Sequence, residues 1–142
     1  MPKTQVTPYL FFSGRCQEAL EFYQTALDAQ VDTVMLFNQS PDPVPAGMLA
    51  EGFENKVMHA AFRIGETVVY GGDGTQPGQT FGAFSLVLAL PTQADAERAF
   101  TALAEGGQVS MPLSKTFWSP YFGMVTDRFG IDWMVTLPMD EA

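Results

Sequence analysis

Apolar and polar positions along the chain fall into short runs whose period alternates between extended and helical. Val6 to Phe12 is a continuous apolar and aromatic run closed by Ser13-Gly14, which predicts a strand with Pro8 near its start or on an edge. Beyond that turn Cys16, Ala19, Leu20, Tyr23 and Leu27 recur at helical spacing. Arg15, Gln17, Glu18, Glu21 and Gln24 fill the opposite side, so an amphipathic helix of about three turns follows. Val31 to Phe37 reads as a strand, and His59 to Ile64 and Thr67 to Tyr70 as two more joined at Gly65-Glu66. The first half is therefore β-α-β-β-β.

The second half repeats that order. Phe84 to Leu90 is an apolar run, and Pro91-Thr92 opens a helix in which Thr92 caps and Asp95 sits three residues on. Ala96, Ala99, Phe100 and Leu103 form its buried stripe, and Gly106-Gly107 stops it. Val109 to Leu113 follows as a strand. Phe122 to Thr126 and Ile131 to Thr136 pair as a hairpin across Asp127-Arg128-Phe129-Gly130. Thr25-Ala26-Leu27 recurs as Thr101-Ala102-Leu103 and Gln30-Val31 as Gln108-Val109, a period of about 76–78 residues, half the chain. The fold class expected is α+β, one domain over residues 1–142 built from tandem βαβββ modules at about 5–73 and 81–138.

Two segments lie outside this pattern. Asn38 to Lys56, with Pro41, Pro43, Pro45, Gly47 and Gly52, has no clear period and reads as a lid, a binding loop or a mobile connection. Gly71 to Gly82, with its glycines and Pro77, reads as the linker between halves. Gly71-Gly72-Asp73-Gly74 follows a strand but leads to Thr75-Gln76-Pro77-Gly78, which is no helix start. It reads as a turn rather than a nucleotide-cofactor loop.

Composition narrows the function classes. The chain has 142 residues, 46% hydrophobic and 16% charged, enough to bury a core without disulfides or a structural metal. Cys16 is the only cysteine, which excludes an intramolecular disulfide and a Cys-based zinc site and suits a reducing cytoplasm. Seven Lys and Arg against sixteen Asp and Glu give a net charge of −9, which repels nucleic acid and acidic membrane surfaces. No run approaches a membrane span, and Met1-Pro2-Lys3-Thr4 lacks the order of a signal peptide. The expectation is a cytoplasmic protein with no nucleic-acid or membrane partner.

Three stretches carry a family resemblance. They are Pro8-Tyr9-Leu10-Phe11-Phe12-Ser13-Gly14 leading to Ala19-Leu20-Glu21-Phe22-Tyr23, then Met58-His59-Ala60 leading to Arg63-Ile64-Gly65, and Thr116-Phe117-Trp118 leading to Phe122-Gly123-Met124-Val125-Thr126-Asp127-Arg128-Phe129-Gly130. With the doubled module, they make the chain resemble the vicinal oxygen chelate superfamily of glyoxalase, bleomycin resistance and dioxygenase proteins. The likeness is to its PhnB-like, 3-demethylubiquinone 3-methyltransferase-like group. The resemblance implies eight strands curled into a cup-shaped mixed sheet and a homodimer. Metal-dependent members place His or Glu ligands on the first, fourth, fifth and eighth strands, where an ion held with open positions polarises a substrate oxygen. Those positions fall here at Pro8 or Thr7, near Val69 or Tyr70, at Ser85 and at Met134, none a strong hard-metal ligand. The sole histidine, His59, is on another strand, and a site combining it with Asp73, Asp132 or Glu54 is the remaining metal alternative. The expectation is therefore no metal and no cofactor.

The candidate chemistry is then an apolar cup. Pro8, Leu10 and Phe12 share the ligand-position parity and are expected to line it, leaving Tyr9 and Phe11 to pack on the helix. Asp132, Met134 and Thr136 are expected to face inward, with Trp133 and Val135 behind. His59 is the residue that titrates near neutral pH and reads as a structural histidine or as a base facing the cup. Facing in, it brings Ala61 and Arg63 with it, and Arg63 can then pair with an anionic substrate. Asp132, desolvated in such a cup, is a candidate base. Lys115 to Phe122, with Trp118 and Tyr121, reads as core, dimer interface or ligand wall. Cys16 lies in an apolar stripe and reads as packing, not as a nucleophile. Two functions fit: a metal-free module binding a small apolar or aromatic molecule, or an isomerase, lyase or dioxygenase-type enzyme with an unconventional site around His59 and Asp132.

Overall fold

In the computed structural model, which describes residues 3–138 apart from Pro43 and Ala46, the chain divides into two compact units, Met1–Thr80 and Phe81–Ala142. The first contains β1 (Tyr9–Phe11), α1 (Cys16–Leu27), β2 (Gln30–Leu36), β3 (Val57–Ile64) and β4 (Thr67–Gly72). The second contains β5 (Ser85–Ala89), α2 (Gln93–Ala104), β6 (Gln108–Ser114), β7 (Phe122–Thr126) and β8 (Asp132–Thr136). Each unit is a four-stranded mixed sheet with one helix, ordered β1-β4-β3-β2 and β5-β8-β7-β6. The α+β class and the repeated βαβββ order expected from the sequence are both present. In each unit the first strand pairs parallel to the fourth, and the remaining pairs are antiparallel.

Each helix covers one face of its own sheet. Cys16, Ala19, Leu20 and Tyr23 form the buried stripe of α1. Tyr23 stacks on Phe62 of β3 with centroids 6.3 Å apart and touches Phe12 at 6.3 Å. Burying side chains of this size contributes about 2–3 kcal/mol each. Ala96, Ala99, Phe100 and Leu103 do the same for α2, over Trp133 and Val135 of β8 and Val125 of β7. The close seat of α2 depends on Gly123 in β7, where an added Cβ would lie 2.8 Å from the Phe100 ring and 3.1 Å from the Leu113 Cα.

The two helices begin differently. Thr92 accepts the Asp95 amide at 3.1 Å, the expected cap of α2. No local side chain caps α1. Its cap is Asp73, just beyond β4, whose Oδ1 accepts the amides of Gly14 and Cys16 at 2.8 Å each while Oδ2 accepts the amide of Val57 at 2.8 Å. One buried carboxylate thus ties the helix start, the first residue of β3 and the end of β4 together.

Over its described residues, Asn38 to Lys56 folds back on its own unit. It contains short 3₁₀ turns at Phe37–Gln39 and Phe53–Asn55. The Phe37 amide donates to the Lys56 carbonyl at 3.0 Å, Asn38 Nδ2 donates to Asn55 Oδ1 at 2.8 Å, and the Ala50 amide donates to the Thr75 carbonyl at 2.8 Å. Phe53 is buried. Pro43 of this segment, like Met1 and Pro2, lies outside the described residues.

Candidate functional site

The helices leave the other face of each sheet open, and strand pairing fixes what that face carries. In unit 1 Tyr9 pairs with Tyr70, Tyr70 with Ala61, and Ala61 with Thr33. Alternation then puts Tyr9, Phe11, His59, Ala61, Arg63 and Tyr70 on the side away from α1. Met35 is cross-strand neighbour to His59. In unit 2 Val87 pairs with Met134 and Met134 with Met124, and Ser85 pairs with Asp132 and Asp132 with Thr126. Asp132, Met134 and Thr136 therefore face away from α2, with Trp133 and Val135 buried beneath.

The parity expected for the first strand is reversed. Leu10 and Phe12 are each 4% exposed and pack under α1, whereas Tyr9 is 37% and Phe11 46% exposed. Leu10 and Phe12 are core residues that do not line the open face. Pro8 precedes β1, and its carbonyl accepts the Tyr70 amide at 2.9 Å. The physical reason is that Tyr9, Leu10, Phe11 and Phe12 are all large and apolar, so the strand has no polar alternation to mark its outer side.

His59 sits among rings. Its centroid lies 5.8 Å from Tyr9 and 5.2 Å from Tyr70, and those two lie 6.4 Å from one another. Phe11 adds a fourth ring 4.8 Å from Tyr9. The Tyr9 hydroxyl donates to the Met58 carbonyl at 3.0 Å. Burial first, then the nearby Cys16 and Asp73, push its pKa up. Arg63 shares this face but is engaged: Nε donates to Asp32 Oδ2 at 2.9 Å and Nη2 to Asp32 Oδ1 at 3.1 Å and Gln30 Oε1 at 2.9 Å. Its hydrogen bonds hold the Asp32 carboxyl below its usual range and raise the guanidinium in turn.

The remaining candidates belong to unit 2. Asp132 Oδ1 accepts the Thr126 hydroxyl at 2.5 Å. Trp118 lies edge-on to Phe117 at 4.7 Å and to Phe122 at 5.5 Å. Tyr121 is directed to the helix, where its hydroxyl donates to Glu97 Oε1 at 2.8 Å and that bond raises its pKa. It is a strap to α2 rather than a wall of the open face. Ser85, the first residue of β5, is partly exposed beside Asp132. The open depression of about 580 Å³ on the outer face of α2 is lined by Ala94, Glu97, Arg98, Thr101, Ala102 and Glu105, of which Glu97 accepts Tyr121 and Arg98 pairs with Asp95.

The repeat relates the expected chelate positions of the two units to one another. The Phe12 amide donates to Gly72 and the Leu90 amide to Thr136, so the strands superpose with Tyr9 on Val87 and Tyr70 on Met134. Ser85 then corresponds to Thr7, not Pro8, and Met134 to Tyr70, not Val69. The four positions carry Thr7, Tyr70, Ser85 and Met134, and among the described residues no three His, Cys, Asp or Glu side chains gather at one point. Asp73, an alternative partner for His59, is spent on three backbone amides. These donors do not fit a hard-metal chelate.

Cys16 is fully buried. Burial first, and then Asp73, push its thiol up to about 12, which agrees with packing rather than nucleophilic use. Reading the sequence missed Tyr9, Phe11 and Met35 as open-face residues, and left Tyr70 as an alternative to Val69. The repeat register carried that signal, since Tyr70 aligns with Met134 and Tyr9 with Val87.

A family model described as 3-demethylubiquinone-9 3-methyltransferase matches residues 4–136. Protein YjdN of Escherichia coli (strain K12) is 31% identical over 140 residues, covering 93% of this chain and 94% of that protein. Among solved structures, protein PA1353 from Pseudomonas aeruginosa is 38% identical with a TM-score of 0.83, over 97% of this chain and 100% of that one. A putative 3-demethylubiquinone-9 3-methyltransferase, PhnB protein, from Bacillus cereus is 25% identical with a TM-score of 0.78, over 95% and 100%. The fold extends to a glyoxylase/bleomycin resistance protein/dioxygenase domain from Frankia sp. EAN1pec, at 11% identity and a TM-score of 0.64, over 98% and 100%. The family's description implies a methyl donor, and the glycine-rich segment does not fit one. Gly71 and Gly72 are the end of β4, Asp73 is occupied by the cap of α1, and no helix starts between residues 73 and 84.

Proposed function

Since the chain belongs to the 3-demethylubiquinone-9 3-methyltransferase family of PhnB-like proteins, we propose that it binds a small apolar or aromatic molecule without a metal, on the open face of its first sheet. One observation carries this reading. The open face of the first sheet presents Tyr9, Phe11, Met35, Val68 and Tyr70, each 36–46% exposed, around the one histidine. Small-molecule sites are built in this way, from mostly apolar walls with a few polar groups that fix orientation. The chelate positions, Thr7, Tyr70, Ser85 and Met134, support the metal-free part.

Elemental mass spectrometry on untagged protein, before and after adding nickel, manganese, zinc and iron(II), tests that part together with the melting temperature. The expected result is no stoichiometric metal and no stabilisation. A stoichiometric ion with a raised melting temperature overturns it.

The same reading includes a homodimer in the cytoplasm. It is supported by Phe117, 96% exposed beside the half-exposed Trp118, a pairing suited to a protein interface. A single species of monomer mass in sedimentation at micromolar concentration would remove the dimer. The enzymatic reading, an isomerase, lyase or dioxygenase, draws on the solvent-reaching imidazole of His59. It requires that His59→Ala abolish turnover of whatever substrate is identified.

A further inference from the structure

The open face of unit 1 carries two polar groups that the protein does not use. Among the described residues neither the His59 imidazole nor the Tyr70 hydroxyl takes part in a hydrogen bond; the His59 ring nitrogens are not sealed from solvent, and Tyr70 is 36% exposed. Their rings lie 5.2 Å apart. By contrast, the Tyr9 hydroxyl is spent on the Met58 carbonyl and Arg63 on Asp32 and Gln30. The face thus offers aromatic surface, one adjacent pair of unspent hydrogen-bonding groups, and a charged pair already neutralised internally.

Resting on the ligand-binding reading above, we propose that this face selects a neutral, planar aromatic molecule carrying a hydroxyl or carbonyl group. The ring packs on Tyr9, Phe11 and Tyr70, and the polar group bonds to His59 and Tyr70. Desolvation decides the class. A bare hydrocarbon covering the face would strip water from His59 and Tyr70 and leave both unpaired, the situation that makes a polar site reject an analogue lacking the matching group. An anion would find no unengaged arginine on this face and would approach a chain of net charge −9. A cation would find Asp32 already held by Arg63.

The chain has a single histidine, so the imidazole nitrogen signals in a ¹⁵N NMR spectrum belong to His59 without assignment. The probes are p-cresol, toluene and p-toluate, which share one ring and differ in the polar group. The expected result is that p-cresol shifts the His59 signals and binds about tenfold more tightly than toluene or p-toluate, the value of one well-made hydrogen bond. His59→Phe and Tyr70→Phe keep the rings and should each bring p-cresol close to toluene. Equal affinity for p-cresol and toluene, both shifting His59, overturns this selectivity while leaving the ligand-binding reading intact. Tightest binding by p-toluate overturns it in favour of an anion site. If none of the three shifts His59, both fall. The comparison of probes on the unmodified chain stands whether or not either variant folds.

Discussion

A cross-strand position decides whether a side chain holds the fold together or is available for binding, and in this chain β1 shows how little separates the two. Leu10 and Tyr9 are neighbours of similar bulk, yet one lies under α1 and the other beside His59. Reading the strand alone could not separate them because every residue in it is apolar. The last strand was legible because Asp132 and Thr136 mark one side of an alternation with Trp133 and Val135. Cys16 yields a prediction at this scale. Its thiol is raised from an ordinary value of 9.0 to about 12, so the unfolded chain loses that proton first as pH rises. The stability tied to the protonated thiol is complete below the ordinary value of 9.0 and is lost toward pH 12, with a limiting slope of about 1.4 kcal/mol per pH unit. In alkaline denaturation curves Cys16→Ala should fall less steeply over that range than the unmodified chain. Identical slopes would show that the thiol does not hold its proton.

Elements were legible where their signals are local. Asp127 closes the β7–β8 hairpin by accepting the amides of Phe129 and Ile131 at 2.8 and 3.1 Å, and it also accepts Trp133 Nε1 at 2.8 Å, all within six residues. Thr92 caps α2 from within its own turn. The cap of α1 could not be read in this way, because the residues that Asp73 serves lie 59, 57 and 16 positions away. Asp73 was weighed only as a turn residue or a metal partner. Its real role makes it the most sensitive junction in unit 1. Asp73→Ala leaves three backbone amides without an acceptor and should cost roughly 3–5 kcal/mol in chemical denaturation, while Asp73→Asn, keeping one acceptor oxygen, should cost about half as much. A loss below about 1 kcal/mol for Asp73→Ala would mean that water replaces the carboxylate.

For the whole molecule, the repeat is the organising fact. Both units run through the same element order and the same strand order, and the registers of their parallel pairs and of β3–β4 and β7–β8 superpose. Duplication explains why the family was legible from motifs alone and why the ligand was not, since the two open faces have diverged. His59 of the first corresponds to Phe122 of the second, and Tyr70 to Met134. Among the described residues no helix is long and apolar enough to cross a membrane. The central claim is that the ring-lined face around His59 holds an organic molecule and no metal. The most direct measurement is a crystal structure grown with p-cresol and recorded for anomalous scattering. The account predicts density for the ring against Tyr9, His59 and Tyr70, with no metal peak on that face. A metal peak on that face, or that face filled by the protein's own side chains, would contradict it.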